Sequence, residues 1–369
     1  MDSLPAHESF RRKDLALFLA DSIAREAEGL RPLRLMHVCG THERSVNRLG
    51  LRSLLPPNVK IVAGPGCPVC VCPVSDLLAA RKLALRPGTI LASFGDMLGV
   101  PMPGGSLLDA RREGADIRLA YSASDALALA RAEPRKEIVF FSVGFETTTA
   151  TTAAVVASLA KDAVPNFSLI SSNRVVPEAL ELLLSSGELR VDGFILPGHV
   201  SAIIGSEVFR FLPERFGIPC AVAGFESVDL LEGIRALLAQ IREGKAELHN
   251  GYSRAVLPEG NQKARRMMAE VYEPRDAYWR GLGSLPGTGL GLRAAYSTYD
   301  ATAKFGISPE PESEDPVASC LCPRVMVGLA ESEECPLFGG ACVPESPVGP
   351  CMVSDEGTCR IRYECGAGR

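Results

Sequence analysis

From residue 32 to about residue 243 the chain repeats one pattern: a short apolar run, a turn containing Gly, then an amphipathic stretch. Leu33–Val38, Val59–Ala63, Thr89–Phe94, Asp116–Tyr121, Glu137–Val143, Phe167–Ser172, Gly193–Leu196 and Cys220–Ala223 read as strands. Most are continuously apolar rather than alternating, the mark of parallel strands covered on both faces. Ser75 is placed to cap a helix over Asp76–Leu85 and Ser124 one over Asp125–Arg131, while Ser227 opens a helix reaching about Arg242. Repeated βα units build parallel sheets through right-handed crossovers, so the expected class is α/β.

A chain of 369 residues has room for two or three domains. The charged, proline-containing break Ala132-Glu-Pro-Arg-Lys136 falls midway through the strands. Two parallel-sheet βα-repeat domains are therefore expected, over 1–132 and 133–245, each near the common domain size. Past residue 245 the rhythm stops, and 246–369 reads as a C-terminal cysteine-rich domain. Within it Ser308–Pro316 reads as an exposed linker. Residues 317–369 show little apolar periodicity, so their stability is expected to come from a metal centre.

The formal charge is −5 and no basic block is present, which argues against nucleic acid or an anionic membrane surface as partner. The longest apolar-leaning run, Thr147–Ala160, is shorter than the ~20 residues of a membrane span. Residues 1–14 carry mixed charges and no apolar h-region, so a cytoplasmic location is expected.

Twelve cysteines are the compositional outlier, and they cluster. Cys39, Cys67, Cys70 and Cys72 form one group; Cys320, Cys322, Cys335, Cys342, Cys351, Cys359 and Cys365 form another; Cys220 begins a strand and reads as core. In a reducing compartment such clusters are metal ligands or reactive thiols before they are structural disulfides.

Ligands of open α/β sheets bind beyond the carboxyl ends of the strands. There this chain places Cys39-Gly-Thr-His-Glu43, Gly64-Pro-Gly-Cys-Pro-Val-Cys70, Gly95-Asp96, Gly144-Phe-Glu-Thr147, Pro197-Gly-His-Val-Ser201 and Gly224-Phe-Glu226. Cys39, with His42 and Glu43, opens a helix whose N-terminus is expected to favour the thiolate. Cys67 and Cys70 form a CxxC pair in a stiff loop, able to cycle between dithiol and disulfide. The spacing of Cys320, Cys335, Cys342 and Cys359 suits an iron–sulfur cluster, with Zn(Cys)4 as the alternative and Cys322, Cys351 and Cys365 as substitute ligands. Gly287-Thr-Gly-Leu-Gly291 lies outside any βαβ unit and is not read as a dinucleotide loop.

Taken together, CGTHE, GPGCPVC, GFETT, PGHVS and the C-terminal CPLFG and PVGPCMVS segments resemble the HypD family of hydrogenase maturation factors, from about Met36 to Tyr363. Arg44-Ser45 stands where many relatives carry His-Thr, and Cys72 where Thr is usual. The resemblance implies a scaffold for assembling the Fe(CN)2CO group of [NiFe] hydrogenases rather than a conventional turnover enzyme. It implies a HypC-type chaperone that shares the iron, a HypE-type cyanide donor and, indirectly, the hydrogenase large subunit as partners. By motif, Cys39 would hold the assembling iron with its cyanide and CO ligands. Cys67 and Cys70 would be the redox-active pair, and Cys320, Cys335, Cys342 and Cys359 would hold a [4Fe-4S] cluster. Glu146 and His199 are expected to face the three thiols from the second α/β unit. The residues alone also admit a stand-alone iron–sulfur thiol–disulfide oxidoreductase, or a zinc-stabilised structural protein.

Overall fold

The structure is a computed structural model and describes residues 10–187, 189–307 and 319–367. The strands in chain order are β1 (Leu33–His37), β2 (Val59–Ala63), β3 (Thr89–Ser93), β4 (Asp116–Leu119), β5 (Glu137–Gly144), β6 (Phe167–Asn173), β7 (Gly193–Pro197), β8 (Cys220–Ala223), β9 (Leu248–Asn250), β10 (Tyr272–Trp279) and β11 (Gly283–Leu292). The eight apolar runs all form strands, each ending within two residues of its expected limits. β9 was not legible: its three residues, Leu-His-Asn, are all half-buried at a sheet edge and carry no apolar run.

The strands build two parallel sheets, ordered β2-β1-β7-β8-β9 and β4-β3-β5-β6. The expected grouping of the first four strands against the next four does not occur. The chain starts one sheet with β1 and β2, leaves to build the whole of the other, then returns to lay β7 beside β1. The Ala132–Lys136 break is a turn inside the second sheet, joining the helix Ala123–Ala132 to β5. Most of these strands are apolar on both faces, so local pattern marks a strand without naming its neighbour.

Two helix starts also differ. Asp125 accepts from the Ser122 backbone N–H at 3.1 Å, so Ser122, not Ser124, caps Ala123–Ala132. The earlier helix is Val74–Ala84, with Pro73 at its cap, which puts Ser75 in the first turn. Ser308–Pro316, the expected linker, lies outside the described residues.

β10 and β11 pair as an antiparallel hairpin that carries Gly287–Gly291. Trp279 is fully buried there, stacked on Phe145 at 5.9 Å between ring centroids. The Arg280 N–H donates to the Val71 carbonyl at 2.9 Å, pinning the loop after β2. One apolar core runs from β1 and β2 through Cys67, Cys70 and Cys72 into Cys322, Val325, Met326, Cys351, Met352 and Cys359. The cysteine-rich segment thus shares the core of the sheets. No helix among the described residues is long and apolar enough to cross a membrane.

Candidate functional site

The exits of β1, β2, β3, β5 and β7 converge on a cleft of about 270 Å³, as expected of parallel sheets. β1 and β2 pair in register from Leu33↔Val59 to His37↔Ala63, which sets Cys39 beside the Gly64–Cys70 loop. The contact is close. The Gly40 N–H donates to the Gly66 carbonyl at 3.1 Å, and a Cβ on Gly66 would lie 2.2 Å from the Cys39 nitrogen. Only glycine allows the two backbones to approach this far.

Cys39 is the cap of the helix Gly40–Arg48 and lines the cleft. The N-terminal donors do work on it: the backbone of His42 and Thr41 lowers its pKa. Burial and the neighbouring Glu356 carboxylate outweigh them and push the thiol up to about 11. The helix end favours the thiolate in the expected direction, but at 9% exposure desolvation outweighs it.

Cys67 and Cys70 are joined as a disulfide with a Cα separation of 5.3 Å. Both are buried, and their loop presents Gly66, Pro68 and Val69 to the cleft. Cys72 is buried with its Sγ 3.4 Å from Ser172 Oγ, and Cys220 is core.

His42 and Glu43 lie outside the cleft lining. His42 Nε2 donates to the carbonyls of Ala223 and Gly224, at 3.2 and 3.0 Å, which ties the Cys39 helix to the end of β8. Burial lowers the His42 pKa to about 3, keeping the ring neutral. Glu43 lies 2.6 Å from His37 Nε2 and 2.7 Å from both Arg52 and Asn47. Burial works against its charge, but His37 and Arg52 hold its carboxyl well below the usual range.

His199 follows β7, so it belongs to the same sheet as Cys39. It lines the cleft, stacked on Phe225 at 3.9 Å, and partial burial lowers its pKa. Glu146 follows β5 and is buried, one oxygen accepting from the Val176 N–H at 2.9 Å and the other without a partner. Burial pushes its pKa up to about 8. It is not among the cleft-lining residues.

The cleft has a wall that the motif roles did not assign. Ser354 and Glu356 line it from the C-terminal segment, opposite Asp96 at the exit of β3. Burial, with Asp96 nearby, raises the Glu356 pKa to about 7. The sequence signal for this wall is the CMVSDEG run, in which Ser354 and Glu356 follow Cys351. Arg44 donates to the Asp355 carbonyl at 2.6 Å and so holds the same segment.

In that segment the sulfurs of Cys322, Cys351 and Cys359 lie within 4.8 Å of one another, all buried. Mutual hydrogen bonds and burial hold the thiols of Cys322 and Cys351 well above their usual range. Cys320 hydrogen-bonds to Cys322, and a Cβ on Gly349 would sit 3.0 Å from one sulfur and 2.6 Å from the other. Of the four expected ligands, Cys359 is in this triad and Cys320 beside it. Cys335 and Cys342 are buried but are not members, and the Cys342 sulfur accepts from the Val348 N–H at 3.3 Å. A set made only of thiols in an apolar shell is a soft donor set that suits an iron–sulfur cluster or zinc.

Thiols at the carboxyl ends of a parallel sheet, joined through one core to a buried thiol group that could hold a metal ion, define the class: a cysteine-rich α/β protein. A family model, HypD, described as "Hydrogenase formation hypA family", matches residues 14–366, and the chain belongs to that family. It is 42% identical to "Hydrogenase maturation factor HypD2" of Bradyrhizobium diazoefficiens, over 98% of this chain and 97% of the relative. It is equally 42% identical to "Hydrogenase maturation factor HypD" of Azotobacter vinelandii, over 98% and 97%. The HypD factor of Rhodobacter capsulatus is 42% identical over 95% of this chain and 93% of its own.

Proposed function

We propose that this chain is a cytoplasmic hydrogenase maturation factor, on which the Fe(CN)2CO group of a [NiFe] hydrogenase is assembled together with a HypC-type chaperone. What supports the reading most is the packing of the Cys67–Cys70 loop directly against the Cys39 backbone, in one cleft. Cys39 holds the iron cargo, since a thiolate suits low-spin iron. Cyanide arrives as a thiocyanate on a HypE-type donor. Breaking its S–C bond to release cyanide to the iron takes two electrons and returns a thiol to the donor. Cys67 and Cys70 as a dithiol supply two electrons and two protons and become the disulfide; one proton goes to the donor sulfur and one is released. His199, at the rim, contacts the incoming partner. Cys322, Cys351 and Cys359, with Cys320 beside them, hold the resident [4Fe-4S] cluster. Bound there, it would supply reducing equivalents one at a time next to the dithiol's core.

The test is anaerobic co-purification with the small chaperone. The complex should carry iron beyond the cluster and show CO and cyanide infrared bands, and Cys39→Ser should lose those bands while keeping the cluster. Undiminished bands in Cys39→Ser would overturn the assignment.

A further inference from the structure

The stretch from Cys351 to Arg362 belongs to both centres. Two of its residues, Cys351 and Cys359, complete the thiol triad. Its middle is a wall of the Cys39 cleft, where Ser354 Oγ and the Asp355 N–H donate to Asp96 at 2.9 and 3.0 Å. Glu356 lies so close over Gly40, the residue after Cys39, that a Cβ there would be 2.4 Å from its own. Beyond Cys359 on the same short helix, Arg362 forms an ion pair with buried Glu43 at 3.3 Å, on the helix that Cys39 caps. The stretch has only two helices of its own, of four and five residues, too short to persist unaided. Its order comes from the contacts to Asp96 and Glu43, from the shared core, and from what holds Cys351 and Cys359.

We infer that this stretch is a strap through which metal bound at the C-terminal thiols controls the Cys39 cleft. With the thiols on metal, the strap is fixed and the cleft wall is complete. Without it, the strap loosens and Cys39 opens to solvent. The chain therefore takes up its resident metal before it can hold cargo at Cys39. This rests on the reading of the triad as a metal centre and of Cys39 as the cargo thiol.

The experiment uses the full chain, anaerobic, either reconstituted with ferrous iron and sulfide or stripped by a chelator. Iodoacetamide labelling of Cys39 is followed by peptide mass spectrometry, and hydrogen exchange is followed over 351–362 and 40–48. Stripping should speed Cys39 labelling by about ten-fold and raise exchange in both stretches, as local opening requires. Arg362→Ala, which removes no thiol, should keep the metal and still speed the labelling several-fold. Equal labelling in loaded and stripped chains, with metal bound in the first, overturns the inference alone. A wild-type chain that takes up no metal at these thiols overturns it together with the reading beneath it.

Discussion

At the sheet end, Cys39 follows β1 and Cys67 and Cys70 follow β2, two strands paired over five registered residues and buried in the core. In the C-terminal segment, Cys322, Cys351 and Cys359 lie on helices of five, four and five residues. The first group is placed by a backbone that main-chain hydrogen bonds and apolar burial hold in any case. The second is placed by a backbone with little regular structure, anchored to the shared core and, on the proposed reading, to the metal its thiols would hold. The same residue type is thus a passenger in one region and a fastener in the other, and substitutions should tell the two apart.

The largest effect is expected at the fasteners. Metal binding to a buried thiol set contributes on the order of 10 kcal/mol to the fold that carries it. Cys351→Ala or Cys359→Ala should abolish iron–sulfur absorbance and open 319–367 to limited proteolysis, while circular dichroism of the sheets persists. Cys335→Ala and Cys342→Ala, which the spacing ranks with Cys359 and above Cys351, should keep the metal; full metal content in the first pair and loss in the second would reverse the assignment. Exposed Cys365 should be replaceable without effect.

At the passengers, damage should come from the backbone. Gly66→Ala would force a Cβ to 2.2 Å from the Cys39 nitrogen, and a main-chain atom cannot swing away. Overpacking of this kind costs about 3 kcal/mol, at the top of its usual range. Denaturant midpoints should fall accordingly, whereas Cys39→Ser should leave them nearly unchanged. A Gly66→Ala protein of wild-type stability would break the contrast.

Glu146 sharpens it further, because this sheet-end carboxyl carries a titration rather than a metal. Its folded pKa is about 8, against 4.5 unfolded, with burial as the cause. Between those values the folded state holds a proton the unfolded state has lost, so stability is full below pH 4.5 and falls as pH rises towards 8. At pH 7 the loss is about 3 kcal/mol. Glu146→Gln should flatten that slope in urea titrations across the window. An unchanged slope would mean that another group carries it.

The contrast also explains what the sequence made legible. β2 and β8 are readable to the residue because a short apolar run, broken only by Lys60 in β2, between Gly or Pro turns has few other solutions. That β7 lies beside β1 was not readable, since nothing in Gly193–Pro197 distinguishes one buried neighbour from another. Cys39 and the Cys67–Cys70 loop were found because strand exits order them in space as in sequence. Of the thiol triad, spacing put only Cys359 in the expected set and left Cys322 and Cys351 as substitutes. Which sulfurs meet depends on turns such as the one at Gly349, whose missing Cβ leaves room for Cys320 and Cys322, and spacing does not encode that. Glu356 was passed over because its place in the cleft depends on Asp96, more than 250 residues away.

The smallest structural effect, and the most telling functional one, is expected at Cys67 and Cys70. The disulfide spans a separation of only three residues. On the chain-entropy account, closing so short a loop contributes about 2 kcal/mol, and only in the oxidised form. The loop is held besides by Gly66 on the Cys39 backbone and by Arg280 on the Val71 carbonyl. Cys67→Ala and Cys70→Ala should therefore fold, keep the metal centre, and match the reduced wild type in stability. If the pair delivers two electrons beside Cys39, either variant should stop maturation completely, because one thiol cannot form the internal disulfide. Thiol labelling under denaturing conditions should show two fewer reactive cysteines after mild oxidation of the wild type, with no such drop in either variant. If both variants mature hydrogenase normally, these sulfurs are fasteners after all, and the division between the two regions fails at the point where it was drawn most sharply.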